Sequence, residues 1–153
     1  MSAKLKFTLK AWPAVFSIAV TLSYLTEWGA KWLFGIELPE QTQVETVKAM
    51  FRNGPWTIIA LNLIIVLIAM PALEELLFRW VTRFHKVLWP VTSALFAAAH
   101  YIQADFPDNA FIALFAFGLC QCWLYRRTGA LWCAMLNHSL FNLTNVVLLL
   151  AFM

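Results

Sequence analysis

Residues 56–84 read WTIIALNLIIVLIAMPALEELLFRWVTRF. Trp56 to Leu73 carries no charge, and then Glu74, Glu75, Arg79 and Arg83 follow on what would be the same helix. About 20 mostly apolar residues suffice to cross the ~30 Å hydrocarbon core of a bilayer, so this stretch predicts a membrane span. The acidic pair falls inside that span rather than beyond it. A charged side chain at such depth costs ~2.5–3.5 kcal/mol on insertion scales, so these groups face a bundle interior and mark a working site. Pro71, which has no N–H to continue the helical ladder, is expected to bend the helix just before the pair.

The rest of the chain has the same character. Of 153 residues, 62% are hydrophobic and 12% charged, against roughly half and a quarter in soluble domains. Spans are expected at about 11–34, 56–84, 86–103, 110–125 and 130–152. Residues 40–53, with Val44, Val47, Lys48, Met50 and Phe51, form a short amphipathic pattern suited to the membrane interface. Asn53-Gly54-Pro55 ends it, and polar turns follow at Asp105 to Asn109 and Arg126-Arg127-Thr128-Gly129. The expected fold is therefore all-α, a polytopic membrane helix bundle of about five transmembrane helices plus one interfacial helix, in a single domain over 1–153. Glu27 and Lys31 are four apart and can pair on one face.

Eleven basic and eight acidic residues give a formal charge of +3, too sparse and scattered for a nucleic-acid surface. They serve better as topology signals. With the N-terminus inside, the cytoplasmic side collects Lys4, Lys6, Lys10, Arg83, Lys86, Arg126 and Arg127, leaving Lys31, Lys48 and Arg52 outside. The basic excess normally stays cytoplasmic, so the reading is N-in. No small-residue cleavage site follows the apolar run from Val15 to Leu25, so the first span is read as uncleaved. Cys120, Cys122 and Cys133 lie in apolar runs and suggest packing rather than disulfides or a zinc cage.

Counting depth from the cytoplasmic turns at 1.5 Å per residue puts Glu74, His100 and His138 at roughly 14–21 Å, near the middle of the core. Within the helices, Glu75 and Arg79 are four apart and can neutralise each other. Glu74 points about 100° away and is left free. Phe96 lies one turn before His100, and His138 and Asn142 share a face from which two donors could hold an oxyanion. Each residue alone has a plainer reading: a single intramembrane histidine can equally serve as an interhelical hydrogen-bond partner, and Asn137 and Asn145 read as packing or hydration groups. His85 is read as interfacial, and the sequons at Asn137 and Asn142 lie in an apolar helix and are discounted.

Taken together, Glu74-Glu75-Leu76-Leu77-Phe78-Arg79, Phe96-Ala97-Ala98-Ala99-His100 and His138-Ser139-Leu140-Phe141-Asn142 resemble the EExxxR, FxxxH and HxxxN motifs of the CPBP family. These are membrane-embedded CAAX-processing and bacteriocin-processing endopeptidases, also called Abi proteins. The approach Thr128-Gly129-Ala130-Leu131-Trp132 is similar too, and the resemblance runs from about Ala69 onward. It implies a glutamate-dependent intramembrane peptidase. By position, Glu74 would activate water with help from His100, His138 and Asn142 would hold the oxyanion, and Glu75, Arg79 and Phe96 would support them. No metal or other cofactor is needed in that scheme. The chain is shorter than larger members and resembles small bacterial ones. That implies a bacterial cytoplasmic membrane and a membrane-anchored protein substrate, cut at a C-terminal sorting helix or a CAAX-like tail.

Two rival readings remain on the sequence. Glu74, His100 and His138 could ligate a catalytic zinc with one open position, although no HExxH is present. Alternatively the same groups could only hold helices together in a non-enzymatic immunity or scaffold protein. A proton-coupled transporter would need a continuous polar path, for which the far ends of spans three and four offer little beyond Gln103 and Asp105.

Overall fold

The computed structural model describes residues 1–35, 42–104 and 108–152, with side chains at 34, 42–44, 101–104 and 108–109 left out. Its elements are α1 (Ala3–Phe34), α2 (Thr42–Asn53), α3 (Trp56–Ile64), a π turn (Ile65–Ala69), α4 (Met70–Arg79), a 3₁₀ turn (Trp80–Arg83), α5 (Leu88–Ala104), α6 (Asp108–Thr128) and α7 (Leu131–Ala151). No strand occurs among the described residues. The chain is a bundle of helices, as its composition requires. Three of them are long and apolar enough to cross a membrane: 3–33 of α1, the continuous rod 56–83, and α7. Only 11–22% of their most apolar windows is buried within the bundle, so the remainder, including Leu61, Ile64, Ile68, Leu77 and Leu150, faces outward. In water that surface would drive aggregation; in lipid it is matched.

Helix boundaries depart from the expected spans where polarity and helicity differ. α1 begins at Ala3, well before the expected position 11, because Ser2 caps it by accepting from the Leu5 N–H at 3.2 Å. Its basic first turns are thus helix, although they lie outside the apolar run. Gly35, at φ 65°, closes α1 with its N–H on the Lys31 carbonyl, a left-handed conformation that glycine adopts without a Cβ penalty. Gly129, at φ 62°, ends α6 the same way on Tyr125. The expected start of the interfacial helix at 40 lies outside the described residues. So does most of the polar turn at 105–109, of which Asp108 and Asn109 already belong to α6. In α2, Lys48 donates to Glu45 at 2.8 Å, and that bond and charge hold the Glu45 carboxyl below its usual range.

α6 is the centre of the bundle. It packs on α1, α5 and α7, while α4 packs on α7 and α5, and α2 touches α7. The α5–α6 approach is close because small residues meet there: a Cβ on Gly118 would lie 2.8 Å from Ser93 Cβ. Such small-residue contacts let helices pack without help from the hydrophobic effect. α1 and α6 run antiparallel, with Phe7 at the start of one against Trp123 near the end of the other, 5.6 Å between ring centroids. Val15, Ala19, Phe96 and Phe117 form the buried core, and Phe78, Leu114, Cys120 and Phe141 pack around it. Cys122 and Cys133 are fully buried free thiols, in line with the packing role expected of them.

Candidate active site

The acidic pair sits one turn below a defect in its own helix. In the π turn, the Met70 N–H bonds to Ile65 O rather than to Val66 O. The next donor up the chain would be residue 71, and Pro71 has no N–H. The Val66 carbonyl is thereby left without a backbone donor, and Asn142 Nδ2 supplies one from α7 at 2.9 Å. The expected bend at Pro71 is therefore a π turn capped from a neighbouring helix. In an apolar medium an orphaned carbonyl is expensive, so this bond ties the level of α4 to that of α7.

Below it, Glu74 and Glu75 grip one imidazole between them. His138 Nδ1 lies 2.9 Å from Glu75 Oε1, and His138 Nε2 lies 3.6 Å from Glu74 Oε2. His100 Nε2 lies 3.8 Å from Glu74 Oε1. The tautomers follow from the partners. A carboxylate and a carbonyl only accept, so His138 Nδ1 donates to Glu75, and His100 Nδ1 donates to Phe96 O at 3.0 Å. When neutral, both rings then present a bare Nε2 to Glu74. Glu74 keeps some exposure, 12% of its side chain, whereas Glu75 is fully buried.

Glu75 also lies 3.2 Å, through Oε2, from Arg79 Nε, and both side chains are fully buried. The guanidinium carbon stands 4.7 Å from the Phe96 ring centroid, a cation–π contact. Among the described residues its terminal nitrogens have no hydrogen-bond partner. Phe96 lies against His100 at 4.4 Å with the rings tilted by 50°, and Phe117 meets His138 edge-on at 5.0 Å. The expected Glu75–Arg79 pair is thus present, and it does more than neutralise itself, because it also orients His138. Beside the site is a cavity of about 660 Å³, whose lining includes His100, His138, Asn142 and Asn145.

Of the seven residues singled out on the sequence, Glu74, Glu75, Arg79, Phe96, His100 and His138 meet at this centre, while Asn142 bonds to Val66 and lines the adjoining cavity with His100 and His138. Two features were not foreseen. Asn137, read as a packing residue, accepts from Gln121 Nε2 at 3.0 Å in a fully buried amide pair. A lone glutamine within an apolar helix was the available signal. The bond from Asn142 to Val66 could not be read from spacing, because it joins residues far apart in sequence. Among the described residues, no three His, Cys, Asp or Glu side chains come together as a set able to hold a metal ion.

The fold and the buried carboxylate–imidazole centre define a helical membrane protein with ionisable groups held together inside the bundle. Residues 55–144, more than half of the chain and including all three motifs, match the family described as type II CAAX prenyl endopeptidase Rce1-like. The chain belongs to this family of endopeptidases, which act on membrane-associated protein substrates. No curated protein and no solved structure matches.

Proposed function

We propose that the chain is a glutamate-dependent intramembrane endopeptidase of a bacterial cytoplasmic membrane. It cuts the C-terminal region of a membrane-anchored protein, at a sorting helix or a CAAX-like tail. The observation that carries this reading is the placement of the Glu74 carboxylate between the Nε2 atoms of His100 and His138, at 3.8 and 3.6 Å. Groups this close can share one water at ordinary hydrogen-bond lengths of about 2.8 Å. That water would meet only acceptors, the arrangement that draws a proton off it. Glu74 then acts as general base, and His100, fixed by its bond to Phe96 O, orients the nucleophile.

Attack on the scissile carbonyl generates an oxyanion. The proton that Glu74 takes from water passes to His138 Nε2, 3.6 Å from Glu74 Oε2, and the ring, oriented from behind by Glu75, then donates from Nε2 to the oxyanion. The division of labour parallels that of a histidine held by a buried carboxylate in other hydrolases. Asn142 spends one Nδ2 hydrogen on Val66 and has a second to offer on the cavity side. Such preorganised donors commonly supply the largest catalytic contribution in acyl transfer. Arg79 balances the charge of Glu75, so the pair adds no net charge to the core.

Glu74→Gln tests the reading. Membranes carrying wild type or variant are compared by mass spectrometry for truncated C-termini of helix-anchored proteins encoded beside this one. Loss of the general base should lower cleavage ~10²–10⁴-fold, with thermal stability retained. Undiminished cleavage by the variant overturns the assignment. In a non-enzymatic scaffold the same change would only alter stability, by ~0.6 kcal/mol for a typical interhelical polar contact.

A further inference from the structure

Among the described residues, the cavity lining runs from the catalytic centre toward one end of the bundle. Its deep end is formed by Phe117 and His138; its outer end by Tyr24 of α1, Lys48 of α2, Ala110 of α6 and Phe152 beyond α7. α1 is there near its C-terminus, α6 at its N-terminus and α7 at its C-terminus. The opposite end of the bundle gathers the start of α1, the end of α6, the end of the α4 rod and the start of α5. Phe7 packing on Trp123, and Ser93 of α5 reaching Cys122, fix that alignment. It is also the basic end. Lys4, Lys6, Lys10, Arg83, Lys86, Arg126 and Arg127 all lie there, from a total of eleven Lys and Arg in the chain. Short-loop basic residues are retained in the cytoplasm. The cavity therefore opens away from the cytoplasm.

We propose that the site is reached from the extracytoplasmic face, by the membrane-flanking segment of a translocated protein anchored through a C-terminal helix. This deepens the peptidase reading and rests on it for the identity of the occupant, though not for the direction of access. The direction separates the two substrate classes. A lipid-modified CAAX tail is attached and presented on the cytoplasmic side and would face the basic end, away from the cavity lining. A sorting helix whose cut segment lies at the outer leaflet enters along the cavity, between α1, α2 and the C-terminal half of α7. The walls suit such an occupant, being mainly apolar with amides at Asn142 and Asn145 for an unwound backbone.

The test uses a membrane-impermeant, negatively charged thiol reagent on the full chain in intact cells and in inverted membrane vesicles. Cys122 and Cys133 are fully buried and Cys120 partly so, and the unsubstituted chain gives their background. Val146→Cys, on the cavity wall, should be modified in intact cells. Arg127→Cys, exposed at the basic end, should be modified only in inverted vesicles. Modification of Val146→Cys from the cytoplasmic side only, or from neither side, overturns the proposal. Leu149→Cys, also on the wall, repeats the measurement if the first variant fails to accumulate. A second readout locates cut sites that vanish in Glu74→Gln cells. Cuts on outer-leaflet flanks agree with the proposal, and cuts in cytoplasmic tails refute it. If no cut depends on Glu74, the peptidase reading fails while the labelling still decides the direction of access.

Discussion

Replacing Arg79 with methionine isolates the energetics of the site's foundation. The guanidinium Nε stands 3.2 Å from Glu75 Oε2, with neither side chain exposed. At an effective dielectric of about 20, two unit charges at that separation attract by about 5 kcal/mol. Forming such a pair also costs desolvation, so its net contribution is far smaller. Removing one partner is different, because it leaves the other charge buried and uncompensated, at a cost of ~3–5 kcal/mol. Methionine fills much of the arginine volume and keeps a polarisable contact on Phe96, so little of the loss should come from a cavity. For a chain of this size each kcal/mol corresponds to roughly 2–4 °C, giving an expected fall of roughly 6–20 °C.

The protein carries its own reporter for that measurement. Cys122 and Cys133 are fully buried, so a thiol-reactive dye in detergent registers unfolding as they become exposed. The double variant Glu75→Gln/Arg79→Met removes both charges, while the glutamine carbonyl still accepts from His138 Nδ1. It should recover more than half of the lost stability. A fall of less than about 1 kcal/mol for Arg79→Met, the value of a solvent-exposed pair, would refute the reasoning. So would a double variant no more stable than the single one.

Asn142→Ala orphans the Val66 carbonyl and should cost ~1–3 kcal/mol together with activity. Adding Pro71→Ala returns a backbone N–H to the π turn and should restore part of the melting temperature. An unchanged melting temperature in Asn142→Ala would show that the amide serves substrate alone. Gly118→Ala places a Cβ 2.8 Å from Ser93 Cβ and 3.1 Å from its Cα. The resulting separation of α5 from α6 should cost ~1–3 kcal/mol and lower cleavage by shifting His100, and Ser93→Gly in the same background should relieve both. If the melting temperature of Gly118→Ala is unaltered, the close approach of these helices is not a constraint.

The membrane class, the helical fold and the candidate residues that the structure gathers were legible in the sequence, because each follows from local arithmetic. Apolar runs of bilayer length announce helices in lipid, and the intervals 74 to 75 to 79, 96 to 100 and 138 to 142 fix which groups share a helix face. Counting along the helices even placed Glu74, His100 and His138 at one depth, since helical rise is constant. The partners of these groups were not legible. Spacing allotted Glu75 to Arg79 and left Glu74 free, but only the packing of α4 on α7 gives Glu75 a second partner in His138. Likewise Pro71 announced a defect, whereas the carbonyl it orphans and the Asn142 amide that answers it lie on different helices. Which end of the bundle the cavity lining reaches also needed the assembled helices. Hydrogen bonds and cavities between helices depend on rotation and crossing about each axis, and those are set by close packing such as Gly118 on Ser93 rather than by periodicity along one chain.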